Sequence, residues 1–115
     1  MSGKDLENLA NQTISRESIN AEQLAKEVAA LGARWTIANN LLQLKLPGPG
    51  MTKTCEVAAY AGKLADELDH HPKIVVEYPG LTLTINTHDK NAITVLDFAY
   101  AARLEKWLRA NGWPT

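Results

Sequence analysis

Apolar positions along the chain switch between two periods, and the order of the switches predicts the architecture. Leu24, Val28 and Leu31 recur at i, i+4 and i+7, one stripe of a helix. Asn20 can cap that helix with Gln23 in the capping-box position, and Gly32 stops it. The period then drops to two. Trp35 and Ile37 alternate with polar or small residues, Asn39-Asn40 supplies a turn tolerant of positive φ, and Leu42, Leu44 and Leu46 alternate on the return. A two-residue loop at Asn39-Asn40 would pair Ala38 with Leu41 and place Trp35, Ile37 and the three leucines on one face. Pro47-Gly48-Pro49-Gly50 forbids further regular structure.

A longer helix is expected from about Thr52 to His70, with Val57, Ala58, Ala61, Leu64, Ala65 and Leu68 on its buried side. Pro72 disfavours the helical region for His71, so the chain leaves the helix there. A second hairpin follows. Ile74, Val76 and Tyr78 share a face, Pro79-Gly80 turns, and Leu81, Leu83 and Ile85 return on the same face. Thr82, Thr84, Asn86 and, by parity, His88 take the opposite one. The last helix opens at Thr94 with Asp97 completing a capping box. Leu96, Tyr100, Leu104 and Leu108 form its stripe beside Trp107, and Gly112 and Pro114 close it. The expected fold is α+β in the order α-β-β-α-β-β-α, a four-stranded antiparallel sheet with helices packed on one face. Residues 1–17 are polar and without period, and are expected to be a flexible tail ahead of a single domain over 18–115.

Composition narrows the function. A chain of 115 residues, 45% hydrophobic, suffices for one core and not two. Its 12 basic and 13 acidic residues leave a net charge of −1, without the basic footprint of a nucleic-acid binder. No apolar run is long enough to cross a bilayer, so no membrane association is expected. The start of the chain lacks the apolar stretch of a secretory signal. The single Cys55 excludes an internal disulfide, and a cytoplasmic location is expected.

All three histidines fall between positions 70 and 88. His70 and His71 sit at a helix exit and His88 where the second hairpin ends, and element ends are where side chains face clefts. Imidazole is the side chain best placed to exchange protons near neutral pH. Asp66 lies four residues before His70, on the same face if the helix continues, where its carboxylate can hold an imidazole proton; Asp69 adds charge nearby. Taken alone, the cluster admits other readings. His70 and His71 can simply cap a helix C-terminus, where imidazolium is favoured by the dipole. A metal site is a third reading, but adjacent histidines diverge off a helix and no cysteine supports them, so none is expected.

The spacing of the whole region adds specificity. Asp66, His70-His71-Pro72, Tyr78, His88 and Asp97, with Leu68-Asp69 before, Thr87 and Asp89 around His88, and Ile93-Thr94 ahead of Asp97, resembles the signature of the pterin-4a-carbinolamine dehydratase family. The resemblance runs from about Asn20 to Leu108 and is strongest from Asp66 to Asp97. Ile74, Asn91-Ala92 and the second strand depart from it. It implies an enzyme that removes water from a 4a-hydroxytetrahydropterin to give the quinonoid dihydropterin, with no cofactor. By resemblance, His70 and His88 are the acid and base, His71 holds the pterin, and Asp66 and Asp97 orient or charge-balance the histidines. Backbone around Thr87 to Asp89 would meet the ring edge. Trp35 would be either a pocket wall or plain core. The resemblance also implies a homodimer or homotetramer, an expectation that small residues on the second helix and the sheet edges support. The alternative is a non-catalytic relative that binds a protein client, such as a RuBisCO assembly factor.

Overall fold

The two hairpins form where turn chemistry puts them. In a computed structural model, which describes residues 6–12, 15–78 and 80–114, strand β1 (Trp35–Ala38) turns into β2 (Leu41–Pro47) through Asn39 and Asn40, at φ 54° and 60°. Asparagine tolerates this left-handed pair better than other side chains, and the two-residue loop fixes Ala38 opposite Leu41. The second hairpin joins β3 (Lys73–Glu77) to β4 (Gly80–Ile85). Its Pro79 lies outside the described residues. Gly80 is required by close approach: a Cβ there would lie 2.4 Å from the Leu46 carbonyl oxygen. Tyr78 departs from expectation. It sits in the turn, 80% exposed, because pairing ends at Glu77 opposite Gly80.

The hairpins lie side by side in the order β1-β2-β4-β3, antiparallel throughout. The pairs Leu42–Ile85, Leu44–Leu83 and Leu46–Leu81 line one face, and all six side chains are buried. Each such side chain contributes roughly 2 kcal/mol of hydrophobic stabilisation. Gln43, Lys45, Thr82 and Thr84 occupy the other face, as the alternation predicts.

Helix α2 (Ala21–Leu31) begins at Asn20, whose side chain accepts from Gln23 N, and ends at Gly32. Helix α3 (Met51–Leu68) covers β3 and β4, burying Val57, Ala61, Leu64 and Ala65 as expected, while Ala58 and Leu68 are half-buried. Helix α4 (Val95–Ala110) carries the predicted Thr94–Asp97 capping box. It is buried on nearly every side, from Leu96 and Phe98 through Tyr100 to Leu108, and the Tyr100 hydroxyl donates to Ala61 O at 2.6 Å.

Helix α1 explains that burial and corrects the flexible-tail expectation for residues 6–12 and 15–17. Leu6–Asn11 is helical and lies on α4, with Leu9 and Ala10 buried and Arg103 Nε donating to Ala10 O at 3.0 Å. The stripe Leu6, Leu9 and Ala10 is too short to stand out as a period, and so short a helix is stable only by docking. A strap follows. Leu96 N donates to Ser15 O at 2.8 Å, Val95 N donates to Glu17 O at 3.2 Å, and Ser18 bridges to Thr94. Residues 1–5, 13 and 14, the rest of the expected tail, lie outside the described residues. Among the described residues, no helix is long and apolar enough to cross a membrane.

Candidate active site

Helix α3 ends at Leu68, two residues before the His70 that its pattern suggests, and the site follows from that. Asp69 takes the left-handed conformation (φ 49°, ψ 49°), and the amides of Asp69 and His70 fold back onto the carbonyls of Asp66 and Ala65 at 3.3 and 3.0 Å. This is the Schellman arrangement, with an aspartate where glycine is usual. His70 therefore leaves the face it would share with Asp66. Asp66 stands instead beside His71, 3.7 Å from its Nε2, both side chains well exposed. The expected Asp66–His70 contact is replaced by one across the fold: His70 Nε2 lies 2.5 Å from Asp97 Oδ1, with Asp97 fully buried and His70 7% exposed.

Asp97 is held from every side. Its Oδ2 accepts from Thr94 N at 2.8 Å and from Thr87 Oγ1 at 3.0 Å, while Thr94 Oγ1 donates to Thr87 Oγ1 at 2.6 Å. One carboxylate thus caps α4, anchors the chain after β4 and orients an imidazole. A carboxylate only accepts, so Nε2 of His70 carries the proton and its Nδ1 holds the lone pair. Helix geometry favours the arrangement, since a negative charge in the first turn meets the positive end of the dipole.

His88 arrives by a different route. After β4 the chain closes a small loop in which Thr87 N donates to Ala92 O at 2.9 Å, His88–Lys90 form a single tight turn, and Asn91 reverses direction at φ 48°. His88 is exposed, and its Nδ1 lies 3.4 Å from Asn86 Oδ1. His70, His71, Thr87, His88 and Asp89 line one open cleft of about 560 Å³, together with Lys73 and Arg16. Asp97 lies under His70 and Asp66 at the rim beside His71. Trp35 is elsewhere. It is core, 3% exposed, with Nε1 donating to Glu105 Oε1 at 2.8 Å.

Sequence reasoning missed two participants. Arg16 lay in the supposed tail, and no local signal marks it; its guanidinium pairs with Asp89, whose carboxyl that hydrogen bond holds below the usual range. Thr94, a cap by its place in the sequence, also joins the Asp97 network through Thr87. Among the described residues, no group of three His, Cys, Asp or Glu side chains is set to hold a metal.

The cleft at the end of the antiparallel sheet brings a carboxylate-held imidazole and two more histidines together. The model of the pterin 4 alpha carbinolamine dehydratase family matches residues 17–107, and the chain belongs to that family. A protein of Sulfolobus acidocaldarius, provisionally named a pterin-4-alpha-carbinolamine dehydratase, is 31% identical over 63% of this chain and 79% of its own. One of Chloroflexus aurantiacus with the same provisional name is 29% identical over 75% of this chain and 87% of its own. The fold is shared with a crystal structure titled transcriptional coactivator/pterin dehydratase from Brucella melitensis, at a TM-score of 0.73 and 22% identity, covering 78% of this chain and 97% of that one.

Proposed function

We propose that this chain dehydrates a 4a-hydroxytetrahydropterin to the quinonoid dihydropterin, recycling a pterin cofactor. The observation that carries the reading is the buried His70–Asp97 contact on the wall of a cleft that His71 and His88 also line. The reaction breaks the C4a–O bond. The hydroxyl leaves as water after taking a proton, and the N5–H bond supplies its electrons to the new C4a=N5 double bond as a base takes that proton. His70, with Nδ1 available and Nε2 held by Asp97, suits one transfer, and His88, exposed at the cleft wall, suits the other. His71 and the backbone from Thr87 to Asp89 hold the ring. The test is dehydration of a 4a-hydroxytetrahydropterin against the spontaneous rate; no acceleration by the wild-type protein overturns the reading.

A protein-binding role is the second reading. It is favoured by the sheet face turned away from the helices, where Leu41 and Val75 are only half-buried. Self-association as a homodimer or homotetramer belongs to the first reading and is supported by two unpaired edges, β1 and β3. Light scattering on the eluting protein checks it, and a mass near 12.6 kDa refutes it.

A further inference from the structure

Arg16 lines the cleft yet lies just before the span that matches the family, residues 17–107. Its position is set by main-chain bonds on both sides: Ser15 O and Glu17 O accept from the first amides of α4, at 2.8 and 3.2 Å. Further back, α1 anchors the same segment through buried Leu9 and Ala10. Arg16 is therefore a cation delivered to the cleft by a fixed strap, and a side chain mounted on fixed backbone loses less freedom when it binds.

Its present partner is weakly held. Nη2 meets Asp89 Oδ1, and the two side chains are 50% and 66% exposed. An exposed pair of this kind contributes about 0–1 kcal/mol, so exchanging Asp89 for another oxyanion is nearly free. Only one guanidinium nitrogen bonds to Asp89, and the planar fork suits bidentate capture of a carboxylate or phosphate. Lys73 places a second cation on the same cleft, against the one further carboxylate of Asp69.

We infer that Arg16 is a specificity-determining residue of this cleft, taking a carboxylate or phosphate carried on the side chain of the pterin, so that the protein selects anionic over neutral pterins. The inference rests on the pterin reading above and adds the class of substrate.

The test is calorimetric titration of the full chain with 6-hydroxymethylpterin, which is neutral at its side chain, pterin-6-carboxylate, and the phosphate ester of the first. One of the two anions binds about tenfold tighter than the neutral pterin, and the tighter one identifies the group recognised. Arg16→Gln abolishes the preference and Arg16→Lys retains part of it, with circular dichroism confirming that both are folded. A residue that merely tethers the strap would alter thermal stability and leave the anion-to-neutral ratio alone. An unchanged ratio in Arg16→Gln overturns the inference. If the wild type binds all three pterins equally, the inference falls by itself; if it binds none, the pterin reading falls and takes the inference with it.

Discussion

Helix α4 buries two carboxylates, Asp97 in its first turn and Glu105 eight residues later, and they are partnered in opposite ways. Glu105 accepts from Arg34 Nε at 2.8 Å and Nη2 at 3.1 Å, from Arg109 Nε at 2.8 Å and from Trp35 Nε1 at 2.8 Å. Burial pushes its carboxyl up, but the hydrogen bonds from Arg34, Trp35 and Arg109 outweigh burial and hold it below the usual range. Its charged partners are guanidiniums, which do not titrate in proteins, so the cluster is a brace joining α4 to β1 and the loop before it. Asp97 is surrounded by an amide, two hydroxyls and one imidazole. The one ionisable partner of Asp97 is the His70 imidazole on the cleft wall, the group the proposed dehydration would use. The two buried carboxylates differ in where their partners lie: Glu105 holds side chains between elements, and Asp97 holds one that lines the cleft.

Substitutions should pull the two sites apart. His70→Ala is expected to lower the rate per folded molecule by about 10²–10⁴-fold, as for a lost general acid or base, whatever stability it also loses by leaving buried Asp97 one partner short. Steady-state rates and thermal scans on the same preparation check this; a variant that loses stability and keeps its rate would reverse the assignment. Glu105→Gln should do the opposite, costing about 3 kcal/mol in urea unfolding because it leaves Arg34 uncompensated, while the rate per folded molecule holds. Arg109 contributes less to that loss, since its side chain is 38% exposed.

The pH dependence follows from Glu105. Its folded pKa is depressed, so the stability it contributes is present above its ordinary value of 4.5 and is lost as pH falls through the lowered folded value. Wild-type unfolding free energy should therefore fall more steeply with acid below about pH 4.5 than that of Glu105→Gln, in urea titrations at successive pH values. The smallest effect is expected from Thr94→Ala, about 1 kcal/mol for the lost cap. A modest fall in rate should accompany it as Thr87 and Asp97 loosen, and Thr94→Ser should restore both.

The features legible in the sequence are those whose causes are local. Asn39-Asn40 specifies its own turn, Thr94 and Asp97 their own cap, and strict alternation puts Leu42, Leu44, Leu81 and Leu83 on the buried face. Features that depend on distant partners were harder to read. The Asp66–His70 contact seemed natural on a continuing helix, and the left-handed turn at Asp69 removed it; nothing in the residue type demanded that turn, since glycine is the usual signal. The residues around His70 could not indicate that Asp97, 27 positions on, would hold it; only the spacing of the whole signature pointed there. Trp35 takes the plain-core alternative, and its indole proton goes to Glu105, a buried charge that periodicity does not reveal. The N-terminal strap was invisible for the plainest reason: main-chain bonds hold it, and main-chain bonds leave no composition behind.

Main-chain anchoring leaves position 16 open to engineering. The carbonyls of Ser15 and Glu17 grip α4 whatever side chain stands between them, so position 16 works as an interchangeable tool holder at the rim of the cleft. Residues placed there can be varied in a library without re-laying the backbone or disturbing Asp97 and His70, which belong to other elements.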